Sequence, residues 1–155
     1  QDGQIERYFY FVLSGVQRGF FIRDGIEHCV GFSYPPDFSG VYDSFLAQKP
    51  SDYYMQAITD TKMLGIHFED LNEMFDKYKS IERWGRLFNE EMLLGKAHRE
   101  IAMITFSAEE RFMRLFNESP QCFQLIPQKY LASYLGMKPE TFSRLKRRVW
   151  EKHRK

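Results

Sequence analysis

Residues 126–150 read IPQKYLASYLGMKPETFSRLKRRVW, and within them two short helical patterns flank a glycine. Pro127 fits the first position of a helix, because proline lacks an N–H group and its φ is already close to the helical value. Gly136 then ends that helix, since glycine reaches the left-handed conformation that a sharp exit requires. Pro139 lies near the start of a second helix, where its missing donor costs little. The stretch therefore predicts two helices joined by a tight turn.

The second of these helices has two chemically different faces. Phe142, Leu145 and Val149 recur at spacings of three and four, which places them on the side that faces the first helix. The opposite side carries polar and charged residues, namely Glu140, Thr141, Arg144, Arg147 and Arg148. An α-helix fits the major groove of DNA, where arginine can bond both acceptors of guanine and a carboxylate can accept from cytosine. We predict a DNA-binding helix-turn-helix, and the alternative is a helical hairpin with a solvated basic face.

The charges in this part of the chain suggest different roles. Glu140 and Arg144 lie one helical turn apart and are spaced to reach adjacent base pairs. The residues better placed to neutralise phosphates are Lys138, Lys146, Arg147 and Arg148. Residues 138–155 carry a net charge of +6 and the rest of the chain −5, although the total is only +1. The positive end of the molecule therefore coincides with the predicted reading helix.

Composition restricts the protein class. With 155 residues, 43% of them hydrophobic, the chain can form one ordinary domain or two small ones. It contains neither an apolar run of the roughly 20 residues that span a bilayer nor a visible signal peptide, so we expect a cytoplasmic protein without a membrane partner. Cys29 and Cys122 are far apart in different patterns, which predicts no metal site, no disulfide framework and no cofactor. The chain also lacks the common nucleophile, phosphate-loop and zinc-protease motifs, so we do not expect an enzyme.

The first half of the chain is typical of β-sheet. Its aromatic content of 17% favours strands, and residues 5–30 alternate apolar runs with turn signals. Asp24-Gly25 between two such runs predicts a tight hairpin. A short helix is predicted over residues 43–46, and strands over 53–57 and 62–67. At least five short strands predict a small antiparallel barrel or sandwich.

Two helical patterns follow the strands. Residues 68–78 fit a short amphipathic helix, and residues 80–105 fit a longer one that would span about 37 Å. A compact domain of this size cannot cover so long an apolar seam, so we predict that the helix pairs two copies of the chain. The alternative is an ordinary core helix. The predicted dimer interface consists of Trp84, Phe88, Met92, Gly95 and Ile101. Ser107 and Glu110 then have the spacing of a capping box, which starts the next helix.

This order of parts resembles the cyclic-AMP receptor and FNR-type (CRP/FNR) family of bacterial transcription regulators. Residues 10–15 (YFVLSG) are similar to the family's barrel signature, residues 107–111 (SAEER) to the start of its DNA-binding domain, and residues 127–148 to its helix-turn-helix. The resemblance implies an α+β fold with a cupin-like, cyclic-nucleotide-binding-like β-barrel over residues 1–79. A dimerisation helix over 80–105 and an all-α helix-turn-helix domain over 106–155 would follow.

The resemblance also implies function. It predicts a homodimeric, sequence-specific regulator of transcription whose partners are double-stranded DNA, RNA polymerase and an unknown small-molecule effector. Glu140, Thr141 and Arg144 match positions that read base edges, whereas Lys129 and Arg147 match positions that contact phosphates. Pro139 replaces a position that is often arginine, so one base contact is expected to be lost. The family pattern also predicts that the chain begins inside the barrel and lacks the two-stranded wing after the reading helix.

The effector site departs from the family pattern. Family members bind the ribose with Gly-Glu and the cyclic phosphate with Pro-Arg-Ser/Thr. Aligned on Pro50, this chain has Val41-Tyr42 and Ser51-Asp52 at those positions. A phosphate that faces Asp52 without a guanidinium would be repelled, so we predict that cyclic AMP does not bind. The alternatives are a different small ligand or none: a ligand would meet Tyr42, Ser44 and Ser51, and without one these three are ordinary loop residues. A ligand-sensing barrel whose basic tail binds acidic protein or RNA is the alternative function.

Overall fold

The computed structural model describes residues 3–153 of the chain, which form an α+β protein with antiparallel sheets. The strands are β1 (Tyr8–Ser14), β2 (Gln17–Arg23), β3 (Ile26–Ser33), β4 (Phe38–Ser39), β5 (Tyr54–Ala57) and β6 (Lys62–His67). The helices are α1 (Tyr42–Ala47), α2 (Phe68–Lys77), α3 (Lys79–Thr105), α4 (Ala108–Glu118), α5 (Cys122–Leu125), α6 (Gln128–Tyr134) and α7 (Pro139–His153). The strands come first, with α1 between β4 and β5. Helix α2 and the 27-residue helix α3 follow, and four shorter helices come last.

The strands form two three-stranded sheets, one in the order β4-β1-β6 and the other in the order β3-β2-β5. The predicted hairpin joins β2 to β3, and its turn residues Asp24 and Gly25 have φ values of 52° and 74°. Two consecutive positive φ values are what a type I′ turn requires, because its twist matches that of the flanking strands. This local prediction is confirmed.

The predicted antiparallel strands are present, but they form two sheets and do not close into a barrel. Within the described part of the chain, no strand pairing links the two sheets, so each keeps two outer strands. The chain passes from the first sheet to the second at Gly15, whose φ of +89° turns it away from β1 instead of forming a hairpin. A side chain there would also collide with the backbone of Asp60 and Thr61. With only two residues in β4 and four in β5, the strands are too short to complete a closed ring.

An aromatic cluster fixes the start of α3 on the first sheet. Phe9 of β1 is buried and stacks on Phe38 of β4, with ring centroids 4.8 Å apart. Phe88 of α3 meets both rings edge-on, at 5.5 Å and 5.2 Å. Such contacts add to the burial of apolar area. The first half of α3 is therefore anchored within its own chain.

A second core holds the C-terminal helices together. Phe112 of α4, Leu131 of α6 and Phe142 of α7 are all fully buried. The predicted capping box starts α4: the Glu110 amide donates to the Ser107 hydroxyl, and the Ser107 amide donates to the Glu110 carboxylate at 2.7 Å. Hydrogen bonds from the hydroxyl and the amide of Ser107 to the carboxylate lower the pKa of Glu110.

The second core continues into the β2–β3 hairpin. Val16 belongs to the same buried cluster, and Phe32, Tyr34 and Ile58 pack against it. The helical region therefore rests on the second sheet through apolar contacts. Among residues 3–153, none of the helices combines the length and apolar character needed to cross a bilayer.

Candidate nucleic-acid interface

The turn between α6 and α7 is sharp and well bonded. Gly136 has φ of +63°, and its amide donates to the Ser133 carbonyl at 3.0 Å. The Met137 amide donates to the Ala132 carbonyl at the same distance. This pair of bonds is the Schellman motif, which satisfies the last carbonyls of a helix. Pro139 is the first residue of α7. Pro127 was predicted to be the first residue of the preceding helix, but α6 begins one residue later, at Gln128, and Pro127 occupies the N-cap position.

One face of α7 is buried in the helical core. Phe142, Leu145 and Val149 are 0%, 4% and 6% exposed, and they share a cluster with Leu131 and Leu135 of the preceding helix and turn. Helical spacing places these three residues on one side of α7. The opposite side faces solvent.

The solvent face carries the predicted DNA-reading residues. Glu140, Arg144 and Arg147 are exposed and follow one another along the helix, while Thr141 at its start is half-buried. In the part of the chain that the structure describes, none of the first three takes part in a salt bridge. Their charges are therefore available to a partner.

The predicted phosphate-contacting residues are of two kinds. Lys138 and Lys129 are exposed, and the Lys129 ammonium lies 4.8 Å from the ring centroid of Tyr130. Arg148 is instead paired with Glu109 of α4, with 2.9 Å between Nη1 and Oε2. That pairing partly neutralises Arg148 and ties α7 to α4. Arg154 and Lys155, which add to the basic segment, lie outside the described residues.

The predicted dimer residues of α3 divide between two faces. Phe88 belongs to the intramolecular aromatic cluster, and Met92 lines a cavity beside the sheets. Gly95 is exposed, and Trp84 and Ile101 are 38% and 55% exposed. Leu87 and Leu94 are also exposed, and they precede Ile101 at intervals of seven residues. The predicted interface omits these two leucines, although their heptad spacing is visible in the sequence.

A cavity of about 430 Å³ lies between the sheets and α3. Tyr42 lines it, and its hydroxyl donates to the Asn89 side chain of α3 at 3.0 Å. Ser44 and Ser51 do not line this cavity. Ser44 accepts from the Glu6 amide at 3.0 Å, and Ser51 accepts from the Tyr53 amide at 3.0 Å, so both hydroxyls order the adjoining loops.

The charged lining of this cavity is mainly acidic. Asp37 and Asp43 line it together with Lys96, and no arginine is among its lining residues within the described part of the chain. Burial raises the pKa of Asp37, and nearby Glu91 raises it further. Asp52, which the sequence comparison places against a phosphate, is exposed beside another surface depression. The carboxylates that line the cavity are therefore those of Asp37 and Asp43, whereas the sequence predicted that Asp52 would face a bound phosphate.

The described residues contain no cluster of three or more His, Cys, Asp or Glu side chains suited to a metal ion. Cys29 and Cys122 are both free and buried. Burial raises the pKa of the Cys29 thiol to about 11, which disfavours the reactive thiolate.

Comparison with solved structures gives extensive matches, although no family model matches the sequence and no curated protein sequence does. FixK2 from Bradyrhizobium japonicum matches with a TM-score of 0.83 at 20% identity, over 98% of this chain and 79% of FixK2. The c-di-GMP responsive global regulator CLP from Xanthomonas campestris gives 0.65 at 16% identity, over 99% of this chain and 82% of CLP. A putative transcriptional regulator of the CRP/FNR family from Eubacterium rectale gives 0.65 at 15%, over 98% and 76% of the two chains. At these identities the likeness is one of fold.

Proposed function

We propose that this chain, which has the fold of the CRP/FNR regulators, is a homodimeric, sequence-specific DNA-binding regulator of transcription. One observation carries the proposal: the solvent face of α7 presents Glu140, Arg144 and Arg147 without an ion-pair partner among residues 3–153, while its other face is fixed in a core. A rigid helix with free charges along one side has the shape and chemistry that major-groove reading needs.

The residues of this face have distinct proposed roles. Arg144 bonds a guanine and Glu140 accepts from a cytosine, while Thr141 adds a contact to a base edge. Lys129, Lys138 and Arg147 neutralise phosphates and fix the position of the helix along the groove. Arg148 contributes less than Arg147, because Glu109 already neutralises part of its charge.

Dimerisation is proposed to use the exposed stripe of α3. Leu87, Leu94 and Ile101 recur every seven residues, and Trp84 lies at the start of the same stripe. Two parallel copies of such a helix bury the stripe between them. The two-fold axis then places two reading helices on half-sites that are about 34 Å apart. Any contact with RNA polymerase would be made by the complex assembled in this way.

Selection of binding sites from random duplex DNA tests the proposal. The full chain is incubated with the pool at moderate ionic strength, and bound duplexes are amplified and sequenced over several rounds. The expected result is a pseudo-palindromic consensus with two half-sites one helical turn apart. A pool that remains without a consensus contradicts the proposal, and equal retention of single-stranded RNA would favour a sensing module with a basic tail.

The proposed regulator does not respond to cyclic AMP. The cavity beside α3 presents Asp37 and Asp43 to a bound ligand, and Lys96 is its one basic lining residue within residues 3–153. A cyclic phosphate in that cavity would be placed among like charges without the bidentate partner that such groups favour. An effector with little negative charge suits the cavity better.

A further inference from the structure

We propose that Arg18 is a positioning residue for DNA binding. Its guanidinium holds α6, and with it the reading helix α7, in a defined orientation on the second sheet. This inference rests on the proposed function and names the contact through which the sheet controls the reading face.

Arg18 is a buried charge, with only 3% of its surface exposed on strand β2. A charge in such a place is costly unless it is paired and hydrogen-bonded. Its Nη2 lies 2.7 Å from a carboxylate oxygen of Glu27 on β3, and its Nε donates to the Gln56 side chain on β5 at 2.8 Å. Both neighbouring strands therefore hold the edge of the guanidinium plane.

The same guanidinium also lies over two aromatic rings. Its central carbon is 4.0 Å from the ring centroid of Phe20 on β2 and 3.9 Å from that of Tyr130 on α6. Cation–π contacts extend to about 6 Å and strengthen when water is excluded. Arg18 thus joins the sheet to α6 through a contact that is close and largely dry.

Further contacts of α6 lie on the same side of the helix. The Ser133 hydroxyl accepts from the Cys29 amide at 3.0 Å and donates to the Glu27 carbonyl at 3.2 Å, so it bonds the outer edge of β3. The ring of Tyr134 packs on Phe32 of β3, with centroids 5.4 Å apart. Positions 130, 133 and 134 share one helical face, and that face is the docking surface.

The orientation of α6 determines that of α7. The Schellman turn at Gly136 and the shared core of Leu131, Leu135, Phe142 and Leu145 make the two helices one rigid unit. Docking leaves Glu140 and Arg144 exposed, and it also leaves Lys129 exposed beside Tyr130. The docked orientation is compatible with DNA binding, and we assign DNA binding to it.

This geometry has a measurable consequence for a symmetric dimer. Two reading helices engage two half-sites at once only when each is held at the required angle and spacing. Binding to a single half-site needs no such alignment. Loss of the Arg18 contact should therefore weaken binding to a two-site operator and leave single-site binding unchanged.

The experiment uses Tyr130→Leu, which removes the ring on α6 while Arg18 keeps Glu27, Gln56 and Phe20. Affinity is measured for the selected operator and for a duplex that carries only one half-site. We expect Tyr130→Leu to bind the two-site operator about tenfold more weakly and the single-site duplex as wild type does. Tyr130→Phe keeps the ring and should behave as wild type. Tyr78→Leu removes an exposed tyrosine beside Lys77 and serves as the matched control.

A second readout separates undocking from unfolding. In a Cys122→Ser background, the rate of alkylation of Cys29 reports how often this part of β3 opens, because Cys29 is buried and its amide donates to Ser133 of α6. Tyr130→Leu should label Cys29 faster while its thermal midpoint remains close to that of Tyr78→Leu. The role of Arg18 is overturned if Tyr130→Leu keeps the wild-type preference for the two-site operator or binds that operator more tightly. It is also overturned if Tyr130→Leu loses affinity equally for the two-site and the single-site duplex. A wild-type chain that selects no duplex contradicts the proposed function itself.

Discussion

Arg144 and Arg147 lie less than one turn apart on α7, yet they should affect DNA binding in different ways. Arg144→Ala would remove the proposed bidentate contact to a base, so it should cost about 1–3 kcal/mol on the operator and relax the preference at one position. Arg147→Ala would remove the proposed phosphate contact, so it should weaken all duplexes alike and reduce the salt slope by about 1. Fluorescence anisotropy on the operator, its single-base variants and random duplex, over a range of salt, measures both effects.

Arg148→Ala is the control for these two substitutions, because its side chain is paired with Glu109 and should contribute less to DNA binding. If Arg144→Ala and Arg147→Ala lower operator and random-duplex affinity by the same factor, the division of roles between base and phosphate contacts is wrong.

Substitution of Gly136 tests the turn that sets the direction of α7. Its φ of +63° strains any side chain, which costs about 1–2 kcal/mol, and a Cβ there would lie 2.7 Å from Cε of Met103. Cε is the far end of a flexible side chain that can shift, so Gly136→Ala should lower the free energy of unfolding in urea by about as much as Gly25→Ala, about 1–2 kcal/mol. Gly25 has a similar φ of +74° but no atom within 4 Å of an added Cβ, which makes it the matched control. A clearly larger loss at Gly136 would mean that Met103 cannot move aside.

At the scale of a single element, α3 offers adjacent leucines with different expected roles. Leu94 lies on the proposed dimer stripe between Leu87 and Ile101, whereas Leu93 points away from it; the two leucines are 59% and 69% exposed. Leu94→Lys would place charge at the pairing surface and should produce monomers. Leu93→Lys adds the same charge and should remain dimeric. Sedimentation velocity over a range of protein concentration distinguishes these outcomes, and two dimeric variants would contradict the proposed stripe.

The same helix shows what periodicity can and cannot predict. Apolar spacing places a long helix close to Lys79–Thr105, but α3 has two apolar faces and the spacing does not say what covers each. Phe88 packs on Phe9 and Phe38 of its own chain, and its predicted contact with a second chain stays a prediction. Local signals are more secure, because the Asp24-Gly25 turn and the Ser107 capping box depend only on neighbouring residues.

At the scale of the whole molecule, interactions distant in sequence were the hardest to predict. Gly15 directs the chain into a second sheet instead of a barrel, and that choice depends on strand pairings between distant residues. Arg18 has the sequence context of an ordinary polar strand residue, and its burial against Tyr130 depends on how two regions dock. The charges and spacing of α7, in contrast, indicate an exposed basic face directly from the sequence, and the structure leaves Arg144 exposed.

The charged residues that line the cavity beside α3 should disfavour the binding of anionic ligands. Asp37 and Asp43 contribute negative charge, and Lys96 alone among the described lining residues is positive, so titration calorimetry with cyclic AMP should give no binding heat at neutral pH. The pKa of Asp37 is raised, so this carboxyl loses its charge at a higher pH than an ordinary one as the solution is acidified. Any weak affinity for the anion should therefore increase on acidification and in Asp37→Asn. Adenosine, which lacks the phosphate, is the control ligand, because its affinity should not follow the charge of Asp37. Saturable, micromolar binding of cyclic AMP by the wild-type chain at neutral pH would show that charge does not exclude it.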